Sequence, residues 1–85
     1  MAKLLQANPG LKVYIAGHTD NQGALDYNVG LSQRRAEAVV RALSTQYGVA
    51  VGRMTARGLG PLAPVTSNAT EDGRAKNRRV ELVQQ

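Results

Sequence analysis

The sequence predicts an α/β sandwich in which helices pack on one face of a mixed sheet of three or four strands. Two observations support this fold class. Short β-branched and aliphatic segments alternate with segments of helical periodicity, and glycine or proline stands at most of the boundaries. The 85 residues, of which 42% are hydrophobic, are also enough for one small domain with a single aliphatic core.

The first half of the chain is predicted from the residues that begin and end each element. Residues 3–7 read as the end of a helix that Asn8-Pro9-Gly10 stops. A strand covers 11–17 because β-branched and aromatic side chains follow that turn. A polar loop then covers 18–26, and a long amphipathic helix covers 27–46 and ends before Gly48, a left-handed cap.

Shorter elements are predicted for the second half. A turn covers 49–53, and a strand covers 54–57 and stops at Gly58. A loop with two prolines follows, to about residue 70. Acidic residues at 71 and 72 complement the dipole of a short helix over 71–77. Alternating apolar and charged residues predict a last strand over 78–83.

Composition narrows the classes of function. The absence of cysteine excludes disulfides and thiolate metal sites. No apolar run reaches the length of a membrane span, and no signal peptide is visible. The formal net charge of +5 favours weak association with polyanions without indicating a specific activity.

Two opposite charges define the candidate binding site. Arg35 lies one helical turn from both Leu31 and Val39, on the apolar stripe of the predicted long helix. A partly buried guanidinium keeps its charge and requires an anion. The natural candidate is Asp20, in the loop that follows the first strand. The two side chains form either an internal salt bridge or a site for a ligand that carries both charges.

Polar neighbours complete the outline of a pocket. Asn28 precedes Arg35 by two helical turns, so both lie on one face with Leu31 between them. Thr19 adjoins Asp20 at the carboxyl end of the strand, where ligand sites form in α/β folds. We therefore expect one anion, one cation, amide and hydroxyl partners, and an apolar floor at Leu31.

A hydrolase is a second hypothesis. His18 and Asp20 would form its relay, with Ser32 or Ser44 as the nucleophile. Neither serine lies in a Gly-x-Ser-x-Gly turn, and no oxyanion loop is recognisable. As a metal ligand, His18 lacks a second histidine or a cysteine. We expect no metal and no cofactor, and interpret His18 as a hydrogen-bonded residue that orients the loop.

The basic run from Arg74 to Arg79 suggests a third hypothesis, a phosphate-binding patch for nucleic acid or another polyanion. Nucleic-acid modules usually add aromatic stacking platforms or a helix with many cations, and neither occurs here. Acidic residues at 71, 72 and 81 also dilute the charge. Nucleic-acid binding is therefore the weaker alternative.

Several separated motifs together resemble one known family. They are Gly17-His18-Thr19-Asp20, Asn28, Leu31-Ser32-x-x-Arg35-Ala36, Gly48-Val49, Arg53, Gly58, Gly60, Pro64 and Gly73-Arg74-x-x-Asn77-Arg78-Arg79-Val80-Glu81. In order and spacing they resemble the OmpA-like C-terminal domain, the peptidoglycan-binding module shared by OmpA, Pal lipoproteins and MotB stator proteins. The resemblance covers residues 11–83 and predicts one OmpA-like domain over 1–85, of βαβαβ type without its first strand.

The resemblance implies a non-catalytic module of the Gram-negative periplasm that tethers an outer-membrane or envelope protein to the cell wall. The family's ligand is the diaminopimelate of the peptidoglycan stem peptide, whose side chain ends in an ammonium and a carboxylate. Carried over, Asp20 pairs with the ammonium and Arg35 receives the carboxylate. Asn28 and Leu31 match positions that line the family's pocket, and Arg78 matches its C-terminal basic position. We expect strong preference for diaminopimelate-type stem peptides over lysine-type stem peptides, which lack that carboxylate.

The same resemblance implies partners outside the site. The family domain follows an anchor, so the membrane is expected to be reached only through segments outside this sequence. A sheet without its first strand leaves an unpaired edge, for which we expect a homodimer or strand exchange.

Overall fold

Three strands and three helices alternate along residues 1–85 of the computed structural model of this protein, with one short 3₁₀ turn. In chain order they are α1 (Ala2–Ala7), β1 (Val13–His18), α2 (Leu25–Tyr47), the 3₁₀ turn (Val51–Arg53), β2 (Met54–Gly60), α3 (Glu71–Asn77) and β3 (Val80–Gln84). The predicted α/β fold with helices on one face is confirmed. None of these helices combines the length and the apolar character that a membrane crossing requires.

The sheet has the order β2-β1-β3, with β1 at its centre. β1 runs parallel to β2, with Ile15 opposite Ala56, and antiparallel to β3, with Ile15 opposite Leu82. The carboxyl ends of β1 and β2 and the amino end of β3 therefore meet at one end of the sheet. That end carries the loop after β1 and the residues that join α3 to β3, and it contains the candidate site.

The core between the sheet, α1 and α2 is aliphatic. Its buried members are Leu5, Val13, Ile15, Ala36, Leu43, Val49 and Met54. The guanidinium of Arg53 fixes α1 against this core, because its Nη2 donates to the carbonyl oxygens of Leu5 and Asn8, each at 2.7 Å. These bonds satisfy carbonyl groups that the end of a helix leaves without partners.

The buried face of α2 differs from the predicted apolar stripe. Ser32 and Ala36, each 0% exposed, face the sheet, whereas Arg35 is exposed. Close backbone packing explains the difference: a Cβ atom at Gly17 would lie 2.2 Å from the Ser32 carbonyl oxygen, and one at Gly58 would lie 2.4 Å from a helix amide nitrogen. Only small residues fit at such an approach, so the helix turns its small side chains inward.

Most predicted boundaries are confirmed within two or three residues, including α3 over 71–77. Gly48 ends α2 in the left-handed conformation, with φ 69°. The prediction that β2 ends before Gly58 is wrong. The strand continues to Gly60, because Gly58 allows α2 to approach the strand and does not break it.

Candidate ligand-binding site

Asp20 lies in the loop directly after β1 and is 8% exposed. Its Oδ1 accepts a hydrogen bond from the backbone N–H of Gln22 at 3.0 Å, the local turn that aspartate side chains commonly form. Its Oδ2 accepts from Nη1 of Arg78 at 2.7 Å. Thr19 supports this loop: its backbone N–H donates to the Gly60 carbonyl at 2.9 Å, and its hydroxyl donates to the Asp20 carbonyl at 2.8 Å. The carboxylate therefore has a fixed position.

Arg78 follows α3 and bridges two carboxylates. Nη1 contacts Asp20, and Nη2 donates to Oε1 of Glu71 at 2.6 Å. Arg74 also contacts Glu71, with 3.2 Å between Nε and Oε2. The sequence-based list of site residues contained Arg78 but missed Glu71. The spacing of seven residues between Glu71 and Arg78, about two helical turns, was the available signal.

These contacts keep the cluster charged. The hydrogen bond from Arg78, and then the one from the Gln22 amide, lowers the pKa of Asp20 below its ordinary value. Hydrogen bonds from Arg78 and Arg74 lower the pKa of Glu71 in the same way. A carboxylate offers about four lone-pair positions. Asp20 uses one for Gln22 and one for Arg78, so it can accept further donors from a ligand.

Asn28 is buried in the first turns of α2 and holds the same loop. Its Nδ2 donates to the Gln22 carbonyl at 2.7 Å, which links the helix to the turn around Asp20. Leu31, one turn further along, is half-buried. The structure thus assigns Asn28 and Thr19 a clear role in shaping the loop that presents the carboxylate.

Arg35 stands apart from this network. It is exposed, and its guanidinium forms none of the ion pairs of the structure. The prediction of a partly buried Arg35 is therefore wrong, and so is the alternative of an internal salt bridge with Asp20, whose partner is Arg78. The rotation of α2 that places Ser32 and Ala36 against the sheet leaves Arg35 at the border of the buried face.

The two cavities of the molecule lie elsewhere. One of about 530 Å³ separates α1 from the last turns of α2, and one of about 370 Å³ lies on the sheet face that the helices leave open. Neither is lined by Asp20 or Arg35. A ligand of these two residues would therefore bind on an open surface at the end of the sheet and not inside a closed pocket.

His18 does not form the hydrogen bond that the sequence led us to expect. Both ring nitrogens are buried without a hydrogen-bond partner, and Nε2 lies 3.7 Å from Oε1 of Glu81. Burial, and then the charge of Arg79, lowers the pKa of His18. The relay of the hydrolase hypothesis has no geometric support, because Asp20 bonds to other groups and the Ser32 hydroxyl donates to the Val29 carbonyl.

The basic run over 74–79 is largely neutralised. Arg74 pairs with Glu71, Arg78 with both Asp20 and Glu71, and Arg79 with Glu81. Three of its four cations therefore already have carboxylate partners, which argues against the predicted patch for phosphates.

Comparisons with known proteins agree with the resemblance. The model of the OmpA family matches residues 1–78. This chain belongs to the OmpA family. It is 46% identical to the "Probable lipoprotein YiaD" of Escherichia coli over 82 residues, which are 96% of this chain and 37% of that protein. It is 47% identical to the "Peptidoglycan-binding protein ArfA" of Mycobacterium bovis over 98% of this chain and 25% of that protein.

A solved structure of the family also superimposes on this chain. The peptidoglycan-associated lipoprotein from Burkholderia pseudomallei matches 99% of this chain and 70% of its own, with a TM-score of 0.89 and 44% identity. This chain spans only 37% of the Escherichia coli relative and 25% of the Mycobacterium bovis relative. It corresponds to a part of those longer proteins.

Proposed function

We propose that this OmpA-family chain binds peptidoglycan without catalysis and anchors its parent protein to the cell wall. Support comes from relatives in which the matching region belongs to proteins named as peptidoglycan-binding or peptidoglycan-associated. The corresponding location is the periplasm, at the outer membrane or cell wall. Relatives that are lipoproteins and outer-membrane porins favour this placement.

The ligand that fits the residues best is the diaminopimelate of the stem peptide. The observation that carries this proposal is the Asp20 carboxylate, which is fixed by Gln22 and Arg78 but retains free lone pairs and a side chain that is 12% exposed. An ammonium group would donate hydrogen bonds to these free lone pairs of Asp20. Thr19 and Asn28 keep the loop in the receiving conformation.

Arg35 would receive the carboxylate of the same side chain. It is an exposed cation without a protein partner, on the helix that begins after the Asp20 loop. Its planar guanidinium suits bidentate contact with a carboxylate, and Leu31 would contact the aliphatic carbons between the two charged ends. Arg78 contributes by fixing Asp20.

The exposure of Arg35 limits the selectivity against lysine-type stem peptides. A buried guanidinium without its anion would pay a large desolvation penalty, but Arg35 stays hydrated. The two kinds of stem peptide then differ in binding free energy by one charge-assisted contact, which is about 1.5 kcal/mol or roughly tenfold in affinity.

Sedimentation with insoluble peptidoglycan tests the proposal. Wild-type chain should sediment with diaminopimelate-type sacculi and less with lysine-type sacculi. Asp20→Ala should abolish sedimentation, and Arg35→Ala should weaken it about tenfold, because it removes the same contact that lysine-type sacculi lack. Arg34→Ala is the matched control, since Arg34 is a neighbouring exposed cation without an ion pair. Retained binding in both site variants would reject the assigned residues, and absence of binding by the wild-type chain would reject the function.

A further inference from the structure

α3 carries Glu71 at its start and is followed directly by Arg78, but it has no apolar side chain in the core. Its only buried residues are Gly73 and Asn77, and its one apolar side chain, Ala75, is exposed. A helix of seven residues is also too short to be stable by itself. The contacts of the two buried residues therefore largely determine where α3, and with it Arg78, lies.

Asn77 is 0% exposed, and its carboxamide forms all four hydrogen bonds of which it is capable. Its Oδ1 accepts from the backbone N–H groups of Val65 at 2.8 Å and Thr66 at 3.2 Å. Its Nδ2 donates to the Thr66 carbonyl at 3.0 Å and to Oδ1 of Asn68 at 2.8 Å. These bonds fix the end of α3 against the loop over 61–70 that precedes the helix.

The loop and α3 are joined mainly by polar contacts, because none of the loop residues is buried. Gly73 allows the loop to approach the helix, since a Cβ atom at this position would lie 1.9 Å from the Ser67 carbonyl oxygen. Arg74 adds one hydrogen bond, from Nη1 to the Asn68 carbonyl at 3.0 Å. The four bonds of Asn77 are therefore the largest set of contacts between the two segments.

Asn77 lies directly before the residue that contacts Asp20. The backbone N–H of Arg78 donates to the Arg74 carbonyl at 3.1 Å, so the backbone of Arg78 continues the helix that Asn77 fixes. The side chain of Arg78 then reaches Oδ2 of Asp20 at 2.7 Å. A shift of the helix end relative to the loop would move the start of this side chain, and a charge-assisted hydrogen bond of this length weakens when its groups are displaced.

We propose that Asn77 is a positioning residue of the ligand site, which holds Arg78 where its guanidinium fixes the Asp20 carboxylate for an incoming ammonium group. Asn77 is fully buried and all its hydrogen bonds are made within the protein, so it acts through Arg78 and contacts no ligand. The ligand in this proposal rests on the proposed peptidoglycan binding, whereas the contact between Arg78 and Asp20 can be measured without any ligand.

The pKa of the Asp20 carboxyl reports this contact, because the hydrogen bond from Arg78 is the main cause that lowers it. Asn77→Ser removes the carboxamide without a change of charge. The pKa of Asp20, followed by carbon NMR of the carboxyl group over a pH titration, should then rise toward its ordinary value of 3.8. Asn68→Ala removes one of the four bonds of Asn77 and should give a smaller rise, which keeps the test decisive if Asn77→Ser does not fold. An unchanged pKa of Asp20 in every folded variant would overturn the proposal.

Val49→Ala is the control for a loss of stability alone. Val49 is a buried core residue directly after the end of α2, whereas the site lies near the start of that helix. Its truncation should lower the urea midpoint but leave the pKa of Asp20 unchanged. An equal rise of that pKa in Val49→Ala and Asn77→Ser would show that destabilisation alone causes it, and would contradict a positioning role.

Sedimentation with diaminopimelate-type sacculi supplies the binding arm. Asn77→Ser should bind about threefold more weakly than the wild type, or weaker still, while Val49→Ala should bind like the wild type where both are folded. Full affinity of Asn77→Ser despite a raised pKa of Asp20 would overturn the role in binding. Absence of binding by the wild-type chain would reject the proposed function, whereas the pKa of Asp20 would still decide whether Asn77 positions Arg78.

Discussion

The Asp20 carboxylate is held by its own loop and by Arg78, whereas the Arg35 guanidinium is held by no other side chain. The two halves of the proposed ligand site therefore differ in their relation to the fold. The acidic half belongs to the structure that joins β1, α3 and β3, so we expect its loss to affect folding and the proposed binding together. The basic half is a solvated side chain, so we expect its loss to affect the proposed binding alone.

Asp20→Ala should produce the largest effect, because it removes both the ligand contact and one of the two carboxylate partners of Arg78. We expect loss of peptidoglycan binding and a fall in the free energy of unfolding of about 1–3 kcal/mol. Urea denaturation and sedimentation measure the two effects. Asp26→Ala is a control at an exposed acid of α2 without an ion pair. An unchanged urea midpoint for Asp20→Ala would show that this half is not part of the fold.

Arg35→Ala should separate peptidoglycan binding from the stability of the fold. Affinity for peptidoglycan should fall about tenfold, because one charge-assisted contact is lost. The free energy of unfolding should change by less than about 0.5 kcal/mol, as at other exposed positions. Arg35→Lys should retain part of the affinity, because an ammonium keeps the charge but lacks the bidentate geometry. A clear destabilisation of Arg35→Ala would mean that the guanidinium has a structural partner after all.

Lowering the pH should destabilise the folded state through Asp20, the acidic half of the proposed site. The folded pKa of Asp20 is lower than its ordinary value of 3.8, so the carboxylate stabilises the folded state fully above that pH. This contribution should be lost as the pH falls through the lowered folded pKa. Asp20→Asn, which cannot ionise, should reduce the loss of stability measured by urea denaturation below pH 4. The same acid dependence in wild type and variant would contradict the role assigned to Asp20.

Glu71→Gln should have the smallest effect. It weakens the second contact of Arg78 but leaves the first, so we expect a reduction of about two- to threefold in peptidoglycan affinity, lessened by added salt. Asp72→Asn, at the neighbouring acid in the first turn of α3, should leave affinity unchanged. Equal effects of both variants would indicate general electrostatics in place of a specific contact.

The local features of this protein could be predicted from its sequence. Asn8-Pro9-Gly10, Gly48 and the acidic residues in the first turn of α3 act on their own neighbourhood, and the elements that begin or end at them are confirmed. The position of Asp20 at the end of a strand is local information of the same kind, because it depends only on where the β-branched segment stops.

The partners of the site residues required the tertiary structure. Asp20 meets Arg78 across 58 positions of sequence, through the antiparallel pairing of β3 with β1. The orientation of Arg35 depends on Gly17 and Gly58, which lie on two strands and set the rotation of α2. Hydrophobic periodicity within the helix contains neither contact, and it therefore wrongly placed Arg35, in place of Ser32 and Ala36, on the buried face.

Chemical-shift mapping with free diaminopimelate tests the central claim most directly. Titration of the isotopically labelled chain should shift the backbone amides of the Asp20 loop and the side-chain Nε signal of Arg35 together, with a single dissociation constant. Nα-acetyl-lysine amide, which keeps the side-chain ammonium but has no free carboxylate, should shift the loop alone. Shifts confined to other surfaces, or equal responses of Arg35 to diaminopimelate and to the blocked lysine, would contradict a site in which these two charges receive one ligand.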